Sequence, residues 1–248
     1  MSEWFENELF WSEMYTFMFP EERFQLAEEH IEKILVLVGY KDGVVLDLCC
    51  GPGRHSIALA KRGIRVTAVD RSEFLLNKAK AEAAKLGLEI EFVSDDMRQF
   101  VRKGAFSLVL NLFTSFGYFD DRDDDLKVLR NVHESLLPGG AIIIDMMGKE
   151  TLARKYQATT STQNADGTLL VERHDISEDW TRGRNEWILV KGESAKTFRF
   201  QVRLYSGQEM KDLLRRAGFE DVKVYGDLDG SEYGINAPRL IAAGRRIL

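Results

Sequence analysis

The chain has 248 residues, a net charge of −6 and a composition that is 44% hydrophobic and 30% charged, which is typical of a soluble globular protein. Its length suits one large domain or a domain with a sizeable insertion, and no apolar stretch approaches the ~18 residues that a membrane span requires. The negative charge disfavours a protein whose whole surface binds nucleic acid, although it is compatible with a local basic patch.

The N-terminal segment, residues 1–40, is rich in acidic and aromatic side chains and lacks the basic n-region of a secretory signal. Cys49 and Cys50 are the only cysteines, and neighbours in sequence rarely form a disulfide with each other. These features predict a cytoplasmic protein. We expect residues 1–40 to form a helical extension.

From about residue 40 to residue 146, short β-branched runs alternate with helical stretches. The predicted strands are 44–49, 64–70, 89–94, 106–113 and 141–147, and the predicted helices are 55–63, 72–87 and 124–140. Ser72 is a suitable N-cap, Gly63 is a suitable residue after a helix, and Pro138 with its two following glycines is expected to end the third helix. Strands that alternate with helices predict a parallel sheet with helices on both faces.

The pattern changes after residue 150. Antiparallel strands are predicted at 165–177, 183–192 and 196–206, joined by turns at Asp166-Gly167, Arg182-Gly183 and Gly192. A helix and strands are expected after residue 206. We therefore predict three parts, namely a helical extension (1–40), an α/β domain (41–150 and 206–248) and an antiparallel insert (151–205).

The turn in "VVLDLCCGPGRHS", residues 44–56, narrows the choice of ligand. A triphosphate loop requires Lys and Ser or Thr after its glycines, but Arg54 and His55 follow Gly53. A dinucleotide loop of the G-x-G-x-x-G type places its third glycine at position 56, which is Ser56 here. The turn therefore matches neither loop fully.

Two carboxylates end the first two strands. Asp47 lies late in a buried strand, where a carboxylate is costly unless it has partners or a cationic ligand nearby. Asp70 ends the next strand, at the place where a carboxylate binds both hydroxyls of a ribose, although it could also cap the following helix. This pair favours a positively charged nucleoside ligand over a pyrophosphate.

Five segments in order resemble the motifs of class I S-adenosylmethionine (SAM)-dependent methyltransferases. They are "VVLDLCCGPG" (44–53), "VTAVDRS" (66–72), "SDDMRQF" (94–100), "FSLVLNLFTSFGYF" (106–119) and "LLPGGAIIIDM" (136–146). Residues 203–231 also resemble the C-terminal segment of small-molecule methyltransferases in that group. Cys49, where the family more often has glycine, and Pro52 inside the turn are departures. The resemblance implies an α/β, Rossmann-like, doubly wound and mostly parallel seven-stranded sheet, with an antiparallel β insert and an N-terminal helical lid.

The resemblance also implies where the cofactor binds. Gly51 and Gly53 would let the backbone approach the methionine part of SAM, Arg54 and the helix N-terminus would hold its carboxylate, and Asp70 would bind the ribose. Asp96 would accept from the adenine amino group. The remaining residues assigned to the cofactor site are Tyr15 in the lid, Asp47, Cys49, Arg71, Met97 beside the adenine ring and Asn111 near the ammonium group. The two cysteines are interpreted as packing residues, and no metal is expected.

The acceptor side is less defined by the sequence. His174 and Glu172 share a strand face and are candidate bases, while Tyr205 and Arg203 are candidates for positioning an acceptor. The alternative is that all four belong to a solvated sheet face. Methyl transfer is an in-line displacement, so alignment and desolvation supply much of the acceleration.

The sequence therefore predicts a SAM-dependent methyltransferase that acts on N or O of a small molecule and releases S-adenosyl-L-homocysteine, as a monomer or homodimer. Three alternatives remain open. A tRNA-modifying methyltransferase would use a local patch that includes Arg182, Arg184, Arg199 and Arg203. A SAM-binding module without catalysis is compatible with the lack of a decisive catalytic residue. A nicotinamide-dependent oxidoreductase is disfavoured by Ser56 and Asp47.

Overall fold

The computed structural model describes residues 3–247. After a short 3₁₀ helix at Trp4–Glu6, the α-helices are α1 (Glu8–Met18), α2 (Glu21–Gln25), α3 (Ala27–Leu37), α4 (Arg54–Lys61), α5 (Glu73–Lys85), α6 (Arg122–Ser135), α7 (Lys149–Lys155) and α8 (Gly207–Arg216). The strands are β1 (Val44–Leu48), β2 (Arg65–Asp70), β3 (Glu91–Ser94), β4 (Phe106–Asn111), β5 (Leu136–Met146), β6 (Thr159–Gln163), β7 (Leu169–Ile176), β8 (Arg182–Lys191), β9 (Ser194–Arg203), β10 (Glu220–Tyr225) and β11 (Leu240–Arg245).

Seven strands form one sheet in the order β10-β11-β5-β4-β1-β2-β3. The first five strands of the chain pair in parallel, and β11 runs antiparallel between β5 and β10. The predicted Rossmann-like, mostly parallel seven-stranded sheet is therefore confirmed. The strand order reverses between β1 and β4, and in such sheets ligands bind in the crevice beyond the carboxyl ends of the strands at this point.

The strands are apolar on both sides because helices cover both faces of the sheet. On β1, Val45 packs with Ile31 and Ile34 of α3, whereas its neighbour Leu46 points into the cluster that includes Leu129 of α6. All five side chains are at most 1% exposed. Successive side chains of a strand point to opposite faces, so an uninterrupted apolar run is what a doubly covered sheet requires.

The predicted helix 124–140 ends earlier than expected. Helix α6 stops at Ser135, and Leu136 already pairs with Phe106 at the start of β5. The guanidinium of Arg246 donates to the carbonyls of Glu134 at 3.0 Å and Leu136 at 2.6 Å, so it satisfies acceptors that the helix end leaves free. The helix therefore ends three residues before Pro138, and the Arg246 guanidinium and the Gly104 amide, both distant in sequence, donate to its last carbonyls.

Strands β6 to β9 form a separate four-stranded antiparallel sheet, here called the second sheet, which confirms the predicted antiparallel β insert. The turn predicted at Arg182-Gly183 is wrong, because Gly183 pairs with Ile176 inside the sheet. The chain reverses instead at residues 177–181, where Asp179 accepts hydrogen bonds from both the amide and the hydroxyl of Thr181. Strand β6 adds a member to the sheet that periodicity did not indicate.

The N-terminal helices lie over the ends of both sheets. Glu8 of α1 accepts from the Ser72 hydroxyl at 2.9 Å and the Glu73 amide at 3.0 Å, at the start of α5. Glu13 of the same helix accepts from Lys196 of β9 at 2.5 Å. Helix α1 therefore bridges the seven-stranded sheet and the second sheet.

The turn between β1 and α4 depends on glycine at position 53. Gly53 has φ +79°, and a Cβ atom there would lie 2.8 Å from the Cβ of Ala79 in α5. We expect Gly53→Ala to cost about 1–2 kcal/mol for the left-handed backbone and about 1–3 kcal/mol more for the overpacked contact. Urea unfolding measures the loss.

Gly63 provides a matched control. It has φ +73°, and no other atom lies within 4 Å of the position that a Cβ atom would take, so Gly63→Ala tests backbone strain alone. If Gly53→Ala and Gly63→Ala lowered the unfolding free energy equally, the extra cost assigned to the contact with Ala79 would be contradicted.

Candidate functional site

A cavity of about 580 Å³ lies at the carboxyl ends of β1, β2 and β4, between the N-terminal helices and the second sheet. Its volume is within the ~300–1,000 Å³ that is usual for ligand pockets. Of the residues that the sequence assigned to cofactor binding, the cavity is lined by Asp47, Cys49, Gly51, Arg54, Asp70, Arg71, Asp96 and Met97.

Asp70 is held at the end of β2 by backbone amides. Its Oδ2 atom accepts from the Gly51 amide at 2.7 Å, and its Oδ1 atom accepts from the Ser72 amide at 2.9 Å. Burial raises the pKa of this carboxyl to about 6, although the backbone donors oppose the shift. Ser72 caps α5 with its own hydroxyl, which accepts from the Leu75 amide. Asp70 therefore presents a carboxylate to the cavity with its position fixed by the glycine turn.

Asp47 is 2% exposed at the end of β1. Its Oδ2 atom accepts from the Ser56 hydroxyl at 2.6 Å, which accounts for the residue that replaces the third glycine of a dinucleotide loop. Burial raises the pKa of Asp47 to about 6, and the Ser56 hydrogen bond and the Arg54 charge oppose that rise. The partners of this carboxylate therefore offset the cost of its burial only in part.

A cationic region forms around the ring of Phe113. The guanidinium carbons of Arg54, Arg23 and Arg239 lie 4.1, 4.6 and 5.2 Å from the ring centroid. Arg239 is paired with Asp145 at 2.6 Å, whereas Arg54 and Arg23 have no carboxylate at ion-pair distance among residues 3–247. Burial and the neighbouring Arg23 lower the pKa of Arg54 to about 10. An anionic group of a ligand would relieve this unpaired charge.

Asp96 follows β3 and is held by Arg98. The guanidinium of Arg98 donates to both carboxylate oxygens, with the shortest contact at 2.6 Å, and Arg71 lies 3.7 Å away. Burial raises the pKa of Asp96, but the hydrogen bonds from Arg98 outweigh it, so the net shift is downward. Met97 lies beside it and accepts from the Cys49 thiol at 3.5 Å.

The cysteines have no charged role at the pH of the cell. Burial raises the pKa of both the Cys49 and the Cys50 thiol, and nearby carboxylates add to the shift. A neutral thiol behaves as a small hydrophobic group.

Three residues assigned to the cofactor lie outside the lining of the cavity. Tyr15 packs against Phe19, which lines the cavity, and against Phe74 of α5. Gly53 lies beneath the turn against Ala79. Asn111 is 2% exposed and donates to the Leu48 carbonyl at 3.2 Å. Their cofactor roles stay predictions.

The three catalytic candidates also lie outside the lining. Tyr205 is 1% exposed and donates to Asp125 at 2.7 Å, and Arg203 lies 3.3 Å from the same carboxylate. Burial raises the pKa of Asp125 to about 6. His174 shares the inner face of β7 with Glu172, and its Nδ1 atom lies 2.8 Å from Oδ1 of Asn185, which does line the cavity.

The four arginines that suggested a basic patch all have local partners. Arg184 pairs with Asp175 at 3.0 Å and Arg199 pairs with Glu186 at 2.5 Å. Arg182 donates to the Phe119 carbonyl at 3.0 Å, and Arg203 donates to the Asp120 carbonyl at 2.8 Å. Each of the four therefore already has an acceptor within the protein, although the side chains of Arg184 and Arg199 are 60% and 75% exposed.

Sequence analysis missed Arg23 and Phe113, and it left most of the acceptor side undefined. Phe113 has a left-handed φ of +64°, a conformation that no sequence pattern signals for phenylalanine. One signal was present for the second sheet, because the apolar side of the alternating segment at 198–204 includes Phe200 and Val202, which line the cavity. The N-terminal aromatic residues that also line it are Trp4, Phe5, Phe10, Trp11, Phe17 and Phe19.

The described part of the chain has neither a helix suited to spanning a membrane nor a cluster of side chains suited to holding a metal ion. None of the helices within residues 3–247 combines the length and the apolar character that crossing a bilayer requires. Across the same residues, no three or more His, Cys, Asp or Glu side chains are grouped so that they would hold a metal ion.

Comparisons with known proteins agree with this geometry. Residues 45–140 match the family model of a methyltransferase domain. The chain is 28% identical to the cypemycin N-terminal methyltransferase of Streptomyces sp over 82% of each chain, and 30% identical to the ubiquinone biosynthesis O-methyltransferase of Coxiella burnetii over 52% of each. Among solved structures, the sugar N-methyltransferase KedS8 from Streptoalloteichus sp ATCC 53650 has a TM-score of 0.71 at 18% identity, covering 91% of this chain and 88% of that one.

The raised pKa of Asp47 predicts a pH-dependent stability. Because the folded protein holds the Asp47 proton up to about pH 6, this group favours folding below about pH 4 and loses that contribution as the pH rises. The unfolding free energy of the native chain relative to Asp47→Asn should fall by roughly 2 kcal/mol from pH 4 to pH 7, since each pKa unit is worth ~1.4 kcal/mol and part of the contribution is already lost at pH 4. Urea unfolding at several pH values checks this.

Glu91→Gln is the matched control at the edge of the same sheet. A hydrogen bond from Arg102 lowers the pKa of Glu91. The unfolding free energy of the native chain relative to Glu91→Gln should therefore rise, rather than fall, as the pH increases. If the difference in unfolding free energy between the native chain and Asp47→Asn did not change with pH, the raised pKa of Asp47 would be contradicted.

Proposed function

We propose that this chain, which belongs to the class I SAM-dependent methyltransferases, transfers a methyl group to a nitrogen or oxygen atom of a small-molecule acceptor. The observation that carries the proposal is the single cavity that joins the carboxylates at the ends of β1 and β2 to an apolar wall built by the second sheet and the N-terminal helices. The Coxiella relative is named an O-methyltransferase and the Streptomyces relative an N-terminal methyltransferase. Because the N-terminus of a chain carries an amino group, the two names support oxygen and nitrogen as acceptor atoms.

The residues at the strand ends fit the groups of SAM. Asp70 would accept from the ribose hydroxyls, and Asp96, fixed by Arg98, would accept from the adenine amino group beside Met97. Arg54 and Arg23 would bind the carboxylate, because both guanidinium groups lack an acidic partner among the described residues. Asp47 would place negative charge near the cationic part of the ligand.

SAM supplies a methyl group that is bonded to a positively charged sulfur. After the methyl group is transferred, the remainder of SAM is released as S-adenosyl-L-homocysteine. The protein's contribution is to align the acceptor and to keep water out, and both effects accelerate a displacement of this kind. We propose the N-terminal segment, from Trp4 to Phe19, as a lid, because its aromatic side chains close the cavity above the cofactor region.

The tRNA-modifying alternative is not favoured by the arginine contacts. We expect no mobility shift of tRNA on a gel, even at low salt, where phosphate contacts bind most strongly. A salt-dependent shift would contradict the small-molecule proposal and would favour the nucleic-acid alternative. Methyl transfer from SAM to any acceptor would exclude the alternative of a SAM-binding module without catalysis.

Asp70 tests the cofactor site directly. We expect Asp70→Ala to weaken the binding of S-adenosyl-L-homocysteine about 10- to 100-fold, since a hydrogen bond to a charged group contributes ~1.5–3 kcal/mol. Isothermal titration calorimetry measures the affinity, and Asp175→Ala, an exposed carboxylate outside the cavity lining, should leave it unchanged. An unaltered affinity for Asp70→Ala would remove the ribose assignment.

A further inference from the structure

Glu172 places a carboxylate on the apolar wall of the cavity. It lies on the inner face of β7, opposite Thr160 of β6 and Trp187 of β8. The Thr160 hydroxyl donates to its Oε2 atom at 3.2 Å. Within residues 3–247 no cationic side chain is at ion-pair distance from this carboxylate, so it retains most of its capacity to accept hydrogen bonds.

The other described residues that the second sheet contributes to the lining are uncharged. They are Thr162, Leu170, Asn185, Trp187, Phe200 and Val202. Arg23 is close enough to be influenced by the charge of Glu172, but its guanidinium lies over Phe113 and donates to the Met18 carbonyl at 2.6 Å. Glu172 is therefore an isolated negative charge on this wall.

Aromatic rings line the same cavity, and one of them, Trp187, lies beside Glu172 in the strand pairing. Trp187 meets Phe200 edge to face with ring centroids 5.0 Å apart, and Phe200 stacks on Trp4 at 4.7 Å. Tyr118 lies 4.6 Å from Trp4 on the other side. The faces of such rings attract cations, whereas a neutral hydroxyl gains little from them. The rings also offer apolar area to the body of a ligand.

We propose that the acceptor is a protonated amine carried on an apolar body, and that Glu172 binds its ammonium group and takes up its proton. This inference rests on the proposed methyltransferase function and narrows its acceptor from N or O to an amine. Sequence analysis named Glu172 as a candidate base beside His174. The structure separates the two, because Glu172 lines the cavity whereas His174 contacts it only through Asn185.

The chemistry balances on these groups. One ammonium proton passes to Glu172 and then to solvent, the freed nitrogen pair forms the new N–CH₃ bond, and the pair of the broken S–CH₃ bond returns to sulfur. An alkylammonium such as lysine loses its proton near pH ~10.4, whereas a water-like hydroxyl does so near ~15.7. The pKa difference that a carboxylate must overcome to remove the proton is therefore about 5 units smaller for an alkylammonium than for an aliphatic alcohol.

Matched pairs of amine and alcohol test the inference. The probes are 2-phenylethylamine with 2-phenylethanol, and cyclohexylmethylamine with cyclohexylmethanol, added to the full chain saturated with S-adenosyl-L-homocysteine. We expect each amine to bind at least about tenfold more tightly than its alcohol, and Glu172→Gln to abolish that preference. Labelled methyl from SAM should appear on the amines, and its transfer should fall in Glu172→Gln.

Glu186→Gln is the matched control, because Glu186 lies on the opposite face of the same sheet and is paired with Arg173 and Arg199. It should keep the amine preference. Equal binding of amine and alcohol, binding of neither, or a preference that survives Glu172→Gln would overturn the inference while leaving the methyltransferase proposal intact. Failure of S-adenosyl-L-homocysteine to bind the native chain would instead overturn the proposed function.

Discussion

The site depends on two carboxylates, buried Asp47 and half-buried Asp70, that are held at the ends of adjacent parallel strands. The Ser56 hydroxyl of α4 donates to Asp47, and the amides of Gly51 and Ser72 donate to Asp70. The raised pKa values of both groups mean that these donors offset the desolvation cost only in part. A ligand with hydroxyl donors and a positive charge would therefore offset the desolvation cost that remains for these two carboxylates.

Positive charge lies in the same cavity as the two carboxylates, so the cavity has a negative and a positive end. Arg54 begins α4, directly after the turn that supports Asp70, and its guanidinium lies over Phe113 together with Arg23. A zwitterionic ligand is oriented by such a separation of charges, because reversing it would place like charges together. The turn after β1 thus lies between Asp70 and Arg54, the two groups that we propose bind opposite ends of the cofactor.

The apolar half of the cavity comes from parts of the chain that are distant in sequence. The second sheet is attached to the segment after β4 by the Arg203 amide, which donates to the Gly117 carbonyl at 2.6 Å, and by Arg182, which donates to the Phe119 carbonyl. Helix α1 joins the same sheet to the start of α5. These long-range contacts hold the aromatic rings and Glu172 in the same cavity as the strand ends, so the proposed cofactor and acceptor regions share one cavity.

The sequence by itself determined the parallel sheet, the antiparallel insert, the Ser72 cap and the glycine turn with its carboxylates. Each of these follows from local periodicity or from residues a few positions apart, and the ordered motifs added the family. Only the tertiary structure decided where α6 ends, which residues face the cavity and what the arginines contact. Arg246, distant in sequence, donates to carbonyls at the end of α6, and the Arg23 guanidinium lies over the Phe113 ring. Sequence periodicity reports which face of an element is buried, but a pairing between distant elements depends on how those faces are brought together.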